Sequence, residues 1–118
     1  MKPNIKFIYE ANSSMGTSDS KNILIKGNNK DILPELVGEF GGKVKCVYID
    51  PPYNNGDSYH YYNDNISETS WLKDISYVLM YLKMLLTKDG SIWISIDDSE
   101  MAHLKPAADK VLGRENPA

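Results

Sequence analysis

The stretch "KVKCVYIDPPY", residues 43–53, decides the fold of this chain. Its apolar part is short, with Gly41-Gly42 before it and Asp50 after it, which is typical of a buried strand ending near Ile49. An aspartate, two prolines and a tyrosine follow at once. Successive prolines fix two φ angles and remove two N–H donors. The strand therefore runs into a rigid turn that offers only acceptors, namely the carboxylate of Asp50 and backbone carbonyls.

Strand and helix patterns alternate along the rest of the chain. We predict three strands, at 22–26, 43–49 and 91–96. We also predict three helices. The first covers 31–40, the second runs from a cap at Ser67 or Thr69 to just before Gly90, and the third runs from a cap at Asp97-Asp98-Ser99 to Leu112-Gly113. In the first helix Asp31 is the expected N-cap, with Pro34 at N3, and in the last helix Pro106 should cause a kink or a break. This alternation predicts an α/β fold with a parallel sheet and crossover helices.

Length and composition indicate one small domain. The chain has 118 residues, of which 1–20 are expected to form a loose arm and 21–118 the domain. It has no run near the roughly 18–20 apolar residues of a membrane span, no secretory signal pattern, and a single cysteine, so we expect a cytoplasmic protein. Cys46 is expected to be buried, and Trp71 and Trp93 to lie in the core. Two histidines and one cysteine predict no metal site.

The strand ends suggest what the protein binds, because parallel sheets bind ligands outside the carboxyl ends of their strands. Asp50 and a neighbouring carbonyl suit a group with two N–H hydrogens, and Tyr53 offers a flat face to a planar ring. Asp97-Asp98 is expected mainly to cap the last helix. The net charge is −3, and residues 50–76 carry five acids against one lysine, so this loop is no phosphate clamp. The turn is predicted to hold a planar, amino-bearing molecule.

The tetrapeptide Asp50-Pro51-Pro52-Tyr53 resembles the catalytic motif of methyltransferases that modify DNA adenine at N6. The flanking sequence is similar to the modification subunit of type III restriction systems over about residues 22–116, in the stretches "NILIKGNNKDILPEL", "KVKCVYIDPPYNNG", "YNDNISETSWL" and "LLTKDGSIWISIDDSE". The resemblance implies the β class of DNA methyltransferases. It also implies part of a Rossmann-like class I S-adenosylmethionine-dependent fold, incomplete in this chain.

The same resemblance implies roles for individual residues. A target adenine is flipped out of double-stranded DNA and stacks on Tyr53, because its amine cannot be reached within the base stack. Asp50 and the carbonyl of Pro51 each accept a hydrogen from that amine, which then attacks the methyl group of S-adenosylmethionine. Asn54 and Asn55 are expected at the pocket rim. Asn28 either faces the cofactor's adenosine or forms a helix-entry turn. The implied partners are DNA, a restriction (Res) subunit, and a second copy in the full-length protein.

One family signature is missing from the sequence. We find no Phe-x-Gly-x-Gly loop, which in relatives binds the methionine end of the cofactor and is expected beyond Ala118. We therefore expect a fragment that is inactive alone, and poorly stable or self-associating because strand edges and apolar faces stay uncovered. Three alternatives stay open: an inactive remnant, a module that docks on a restriction partner, and methylation of cytosine N4 or RNA adenine. Asp50 favours adenine over cytosine, since serine usually takes its place in the N4 enzymes.

Overall fold

The computed structural model describes residue 8 and residues 21–54 and 67–116. The elements in order are α1 (Asn29–Phe40), β1 (Val44–Ile49), α2 (Glu68–Leu85), β2 (Leu86–Ile94) and α3 (Asp98–Leu112). The strands β1 and β2 pair in parallel, with Val47 opposite Ile92 and Tyr48 opposite Trp93. The predicted α/β class and parallel sheet are confirmed, and α2 is the crossover helix. Apart from Ile8, the expected arm at 1–20 lies outside the described residues.

The helix α2 forms the centre of the core. Its apolar side contributes to two clusters of buried side chains, which are Leu33, Val47, Leu82 and Leu85 in one and Trp71, Ile75, Leu79 and Leu104 in the other. The first cluster joins α2 to α1 and the sheet, and the second joins it to α3. Among the described helices, none is both long and apolar enough to span a membrane.

The sheet has one covered face and one open face. Val47 faces the core, whereas Tyr48 and Trp93 stand on the opposite side, where Trp93 is 63% exposed. The expectation that Trp93 belongs to the core is therefore wrong, and so is the expectation that Cys46 is buried, because Cys46 is exposed. The cause is the two-residue period of a strand, which sends neighbours to opposite faces while the buried clusters lie on one face only.

Residues 22–26 do not form the predicted strand. Leu24 is 98% exposed, and Ile23 is also exposed. A strand needs a hydrogen-bonded neighbour, and in the described ranges β1 and β2 pair only with each other. Composition favours an extended conformation here, but it cannot replace the missing partner.

The junction between α2 and β2 also differs from the prediction. We expected the helix to run nearly to Gly90, but it ends at Leu85 and the strand starts at Leu86. Leu86 pairs with Val44 and Ser91 with Cys46, so extra residues of β2 bulge out between the two pairs. A Cβ at Gly90 would come within 3.1 Å of the Val44 carbonyl oxygen. The apolar Leu86 fits a helical stripe as well as a strand, which explains the error.

The last helix has the predicted ends but is not interrupted as expected. Asp97 caps α3, and Gly113 follows its end, as predicted. The helix continues through Pro106, although a kink or break was expected there. Pro106 cannot donate to the carbonyl of Ala102, but both residues are exposed, so water is available to that carbonyl.

The first helix begins earlier than predicted. Its cap is Asn28, whose side-chain oxygen accepts from the backbone N–H of Lys30 at 2.9 Å, so the prediction of Asp31 as cap is wrong. Pro34 then lies inside the helix, and the carbonyl of Lys30 has no helical donor. The hydroxyl of Tyr77 on α2 donates to that carbonyl at 3.1 Å. A bond between helices thus replaces the one that proline removes.

We expect Tyr77→Phe to lower the free energy of unfolding by about 1 kcal/mol, the usual net value of a hydrogen bond. The cost should fall close to zero when Pro34 is replaced by alanine, because the new N–H can satisfy the Lys30 carbonyl. Urea unfolding of the two single variants and the double variant measures this coupling. Other contacts of Tyr77, such as that with Tyr81, are the same with proline or alanine at position 34. Their contribution therefore cancels when the two costs of Tyr77→Phe are subtracted. An equal cost in the two backgrounds would contradict the assignment.

Candidate active site

The carboxyl end of β1 leads directly into the turn Asp50–Tyr53, and the described chain continues through Asn54. Asp50 is exposed and Tyr53 is half-buried. The Tyr53 hydroxyl donates to the Asp50 carboxylate, and this bond is the main reason why the pKa of Tyr53 is raised above its ordinary value. Partial burial and the negative charge of Asp50 act in the same direction. An acceptor carboxylate and an aromatic ring therefore lie together at the edge where a parallel sheet binds ligands.

A buried tryptophan supports the turn from α2. Trp71 is only 2% exposed, and its indole N–H donates to the carbonyl of Pro52 at 2.7 Å. The first turn of α2 is itself fixed by Ser67, whose hydroxyl accepts from the backbone N–H of Ser70. The prediction of Ser67 as a possible cap, and of Trp71 as a core residue, is confirmed. The sequence did not reveal that the indole also anchors the turn.

We expect Trp71→Phe to reduce the free energy of unfolding by about 1 kcal/mol or more, since it leaves the carbonyl of Pro52 without its donor. Trp93→Phe is the matched control: it makes the same chemical change at an exposed residue, whose indole N–H donates to Ser91 on the surface. That variant should stay within about 0.5 kcal/mol of the parent. Urea unfolding followed by circular dichroism compares the two. Equal costs would mean that the buried bond contributes nothing.

A second support comes from α3. The side-chain amide of Asn54 donates to Glu100 at 2.9 Å, and Glu100 is only 7% exposed. His103, also on α3, places Nδ1 2.9 Å from a carboxylate oxygen of Glu68 at the start of α2 and 3.6 Å from the other carboxylate oxygen of Glu100. These contacts connect the end of the turn to both helices. Sequence reasoning assigned no role to Glu100 or His103.

Five of the predicted site residues lie in one described segment. Asp50, Pro51, Pro52, Tyr53 and Asn54 form one continuous segment, whereas Asn55 lies outside the described residues. Asn28 serves as the cap of α1, in agreement with the helix-entry alternative. Its side-chain oxygen is engaged in that cap. The contact of Asn28 with a cofactor stays a prediction.

Comparison with known proteins identifies the family of the chain. The model of the DNA methylase family matches residues 44–117, which include β1, the turn, α2, β2 and α3. The chain therefore belongs to the DNA methylase family, as the resemblance predicted.

Individual relatives narrow the likeness to restriction-modification proteins. The chain is 43% identical over 97 residues to a protein of Haemophilus influenzae named "Probable type III restriction-modification enzyme HindVI Mod subunit", with 82% of this chain and 13% of the relative covered. It is 31% identical to the EcoP15I Mod subunit of Escherichia coli, covering 89% of this chain and 21% of that protein. It is 36% identical to the type II methyltransferase M.KpnI of Klebsiella pneumoniae, covering 84% and 25%. The chain thus spans a quarter or less of each relative's length.

Proposed function

We propose that this chain is the amine-binding part of a DNA methyltransferase that modifies adenine at N6 in a type III restriction-modification system. The observation that supports it best is the turn at the end of β1, where Asp50 lies beside Tyr53 and the Pro52 carbonyl is bonded to a buried indole. The Mod names of two relatives point to the same system. We further propose that the two parallel strands are part of a Rossmann-like class I methyltransferase sheet.

The turn accounts for recognition of the base. A flipped adenine stacks on the ring of Tyr53 and donates its two amine hydrogens to the Asp50 carboxylate and the Pro51 carbonyl. Both acceptors belong to a segment stiffened by two prolines, so little reorganisation is needed when the base arrives. Two acceptors on one amine pull its nitrogen toward tetrahedral geometry. The nitrogen lone pair, otherwise delocalised into the ring, is then available as a nucleophile.

The methyl donor in this proposal is S-adenosylmethionine, which supplies an electrophilic methyl group. Asn28 is the one residue of this chain that we propose for its adenosine end. The side-chain oxygen of Asn28 is engaged in the helix cap, so we propose that the side-chain NH₂ group donates to the adenosine. The sequence contains no Phe-x-Gly-x-Gly loop for the methionine end, so we assign no residue to that part.

The proposed partners are double-stranded DNA, a Res subunit and a second copy of the full-length protein. The charge distribution indicates that the DNA phosphates and the target base are bound by different parts of the enzyme. Residues 50–76 carry five acids against one lysine, so the phosphates near the turn need cationic groups from elsewhere. This segment contributes base recognition rather than electrostatic attraction.

A chimaera tests the proposed reaction. The 97 matched residues of the Haemophilus influenzae Mod subunit are replaced by those of this chain, and the chimaera is incubated with DNA and S-adenosylmethionine labelled in its methyl group. The expected result is label in N6-methyladenine after the DNA is digested to nucleosides. The unchanged Haemophilus influenzae subunit is the positive control, and the isolated 118-residue chain is expected to transfer none. Label in N4-methylcytosine, or no label in the DNA treated with the chimaera, would overturn the proposal.

A further inference from the structure

The carboxylate of Glu100 is the only charged side chain in the core of the described residues. Glu100 lies in the first turn of α3, at the N3 position counted from the Asp97 cap. A glutamate at N3 commonly reaches back to the cap residue of its own helix. Here one oxygen instead accepts from the side-chain amide of Asn54. The other oxygen has no hydrogen-bond partner among the described residues. A buried charge is costly, and this one is directed at the residue that follows the turn.

The backbone conformation of Asn54 explains why its hydrogen bond to Glu100 matters for the turn. Asn54 has φ of 54°, the only left-handed conformation of a non-glycine residue in the described ranges. Asparagine tolerates this conformation better than most residues, but it still carries strain that surrounding contacts must offset. The chain direction immediately after Tyr53 therefore depends on what holds Asn54.

Tyr53 lies between two anchored neighbours. On one side the carbonyl of Pro52 is bonded to Trp71 of α2, and on the other the amide of Asn54 is bonded to Glu100 of α3. The backbone of Tyr53 is fixed at both ends by buried groups from different helices. The position of its ring and hydroxyl, and through the hydroxyl that of Asp50, follows from both anchors.

We propose that Glu100 is a positioning residue for the Asp50–Tyr53 turn, acting through the side chain of Asn54. Its importance for catalysis rests on the proposed methyltransferase function, whereas its effect on the turn does not. Glu100 touches neither the base nor the methyl donor in this proposal. It keeps the stacking ring and the acceptor carboxylate in one arrangement, so that the amine meets them already in place.

The effect on the turn is measurable in this chain without any activity. The indole N–H of Trp71 is bonded to Pro52, so its hydrogen-exchange rate reports how often the turn opens, and the backbone amide of the fully buried Leu79 reports unfolding of the core. We expect Glu100→Ala to raise exchange at Trp71 about tenfold or more relative to Leu79. Glu100→Gln keeps an acceptor oxygen and should stay within about threefold of the parent. Glu35→Ala, at an exposed carboxylate of α1, is the control and should leave the ratio unchanged.

Asn54→Gly removes the same bond from the other side. Glycine adopts a positive φ without strain, so this variant loses the anchor and keeps the backbone conformation. We expect Asn54→Gly to raise the ratio of the Trp71 exchange rate to the Leu79 exchange rate as Glu100→Ala does. The double variant, with both substitutions, should show no further rise. An unchanged ratio in Asn54→Gly, or a rise shared equally by Trp71 and Leu79 in Glu100→Ala, would overturn the proposal.

The catalytic consequence is tested in the chimaera. Glu100→Ala should lower kcat about tenfold or more while the KM for DNA and for S-adenosylmethionine changes less than about threefold, and Glu100→Gln should restore most of kcat. A normal kcat in Glu100→Ala would show an anchor without catalytic importance and overturn the positioning role, leaving the methyltransferase proposal intact. If the parental chimaera transfers no methyl group, the methyltransferase proposal fails instead, and the exchange ratios alone decide whether Glu100 positions the turn.

Discussion

Methyl transfer by the chimaera is expected to fall about a thousandfold when Asp50 is replaced by alanine. Removing one preorganised polar group from an active site commonly costs about 10²–10³ in rate, and Asp50 is in this proposal the only charged acceptor for the amine. Asp50→Asn keeps an oxygen near the same place but loses the charge, so its rate should lie between those of the parent and Asp50→Ala. Asp31→Ala, at an exposed carboxylate on α1, serves as the control and should keep full activity.

The same substitution has a second readout in the isolated chain. The hydrogen bond to Asp50 raises the pKa of Tyr53, which favours the neutral phenol. Asp50→Ala removes both that bond and the negative charge, so the pKa of Tyr53 should fall toward the ordinary value of about 10. A titration of ¹³C-labelled tyrosine, with the Tyr53 signal assigned by Tyr53→Phe, measures the change. Full methyl transfer by Asp50→Ala would refute the mechanism, even with the Tyr53 shift confirmed.

The largest loss of stability is expected from Leu79→Ala. Leu79 is 0% exposed and lies in the cluster that joins α2 to α3. A buried leucine-to-alanine change costs about 2–5 kcal/mol, and small domains are stable by only about 5–15 kcal/mol. With just two strands in its described sheet, this chain should be near the lower limit, so a large fraction of the variant should be unfolded at 25 °C.

Leu24→Ala provides the matched control for that substitution. It is the same chemical change at a side chain that is 98% exposed, and we expect a difference below about 0.5 kcal/mol. Circular dichroism during urea unfolding gives both midpoints. Similar shifts for the two variants would mean that the cluster around Leu79 does not hold the helices together.

Local sequence signals were sufficient for elements whose ends and buried faces are specified by residues close together in the chain. The helix α2 has a long apolar stripe and a serine cap, and α3 has the Asp97 cap and a glycine at its end. Both helices were predicted correctly, apart from the extension of α2 beyond Leu85 and the interruption of α3 expected at Pro106. The turn after β1 was recognisable because proline restricts the backbone whatever surrounds it. These features depend on residues that are neighbours in the chain.

Other features depend on partners that a single segment does not specify. Residues 22–26 have the composition of a strand, but no described strand pairs with them. Trp93 and Cys46 are apolar residues of strands, and their exposure depends on which face of the sheet the helices cover. The resulting open face is the physical basis for the self-association we predicted, which stays a prediction.

The supports of the turn were missed for a related reason. Trp71 looks like any apolar residue at the start of a helical stripe, although a buried indole N–H needs an acceptor, and that need was the available signal. Glu100 looks like an ordinary acidic residue in the first turn of a helix. Only the packing of α3 beside the turn shows that its carboxylate meets Asn54.

The two anchors of the turn have a consequence for how such enzymes evolve. Pro52, Asn54, Trp71 and Glu100 all lie within about fifty residues of one another, so the geometry around the acceptors is maintained inside a single block of sequence. A gene rearrangement that moves this block as a unit carries its supporting contacts with it. If the turn recognises the base as we propose, base recognition is separable from the order in which the remaining parts of the enzyme are encoded.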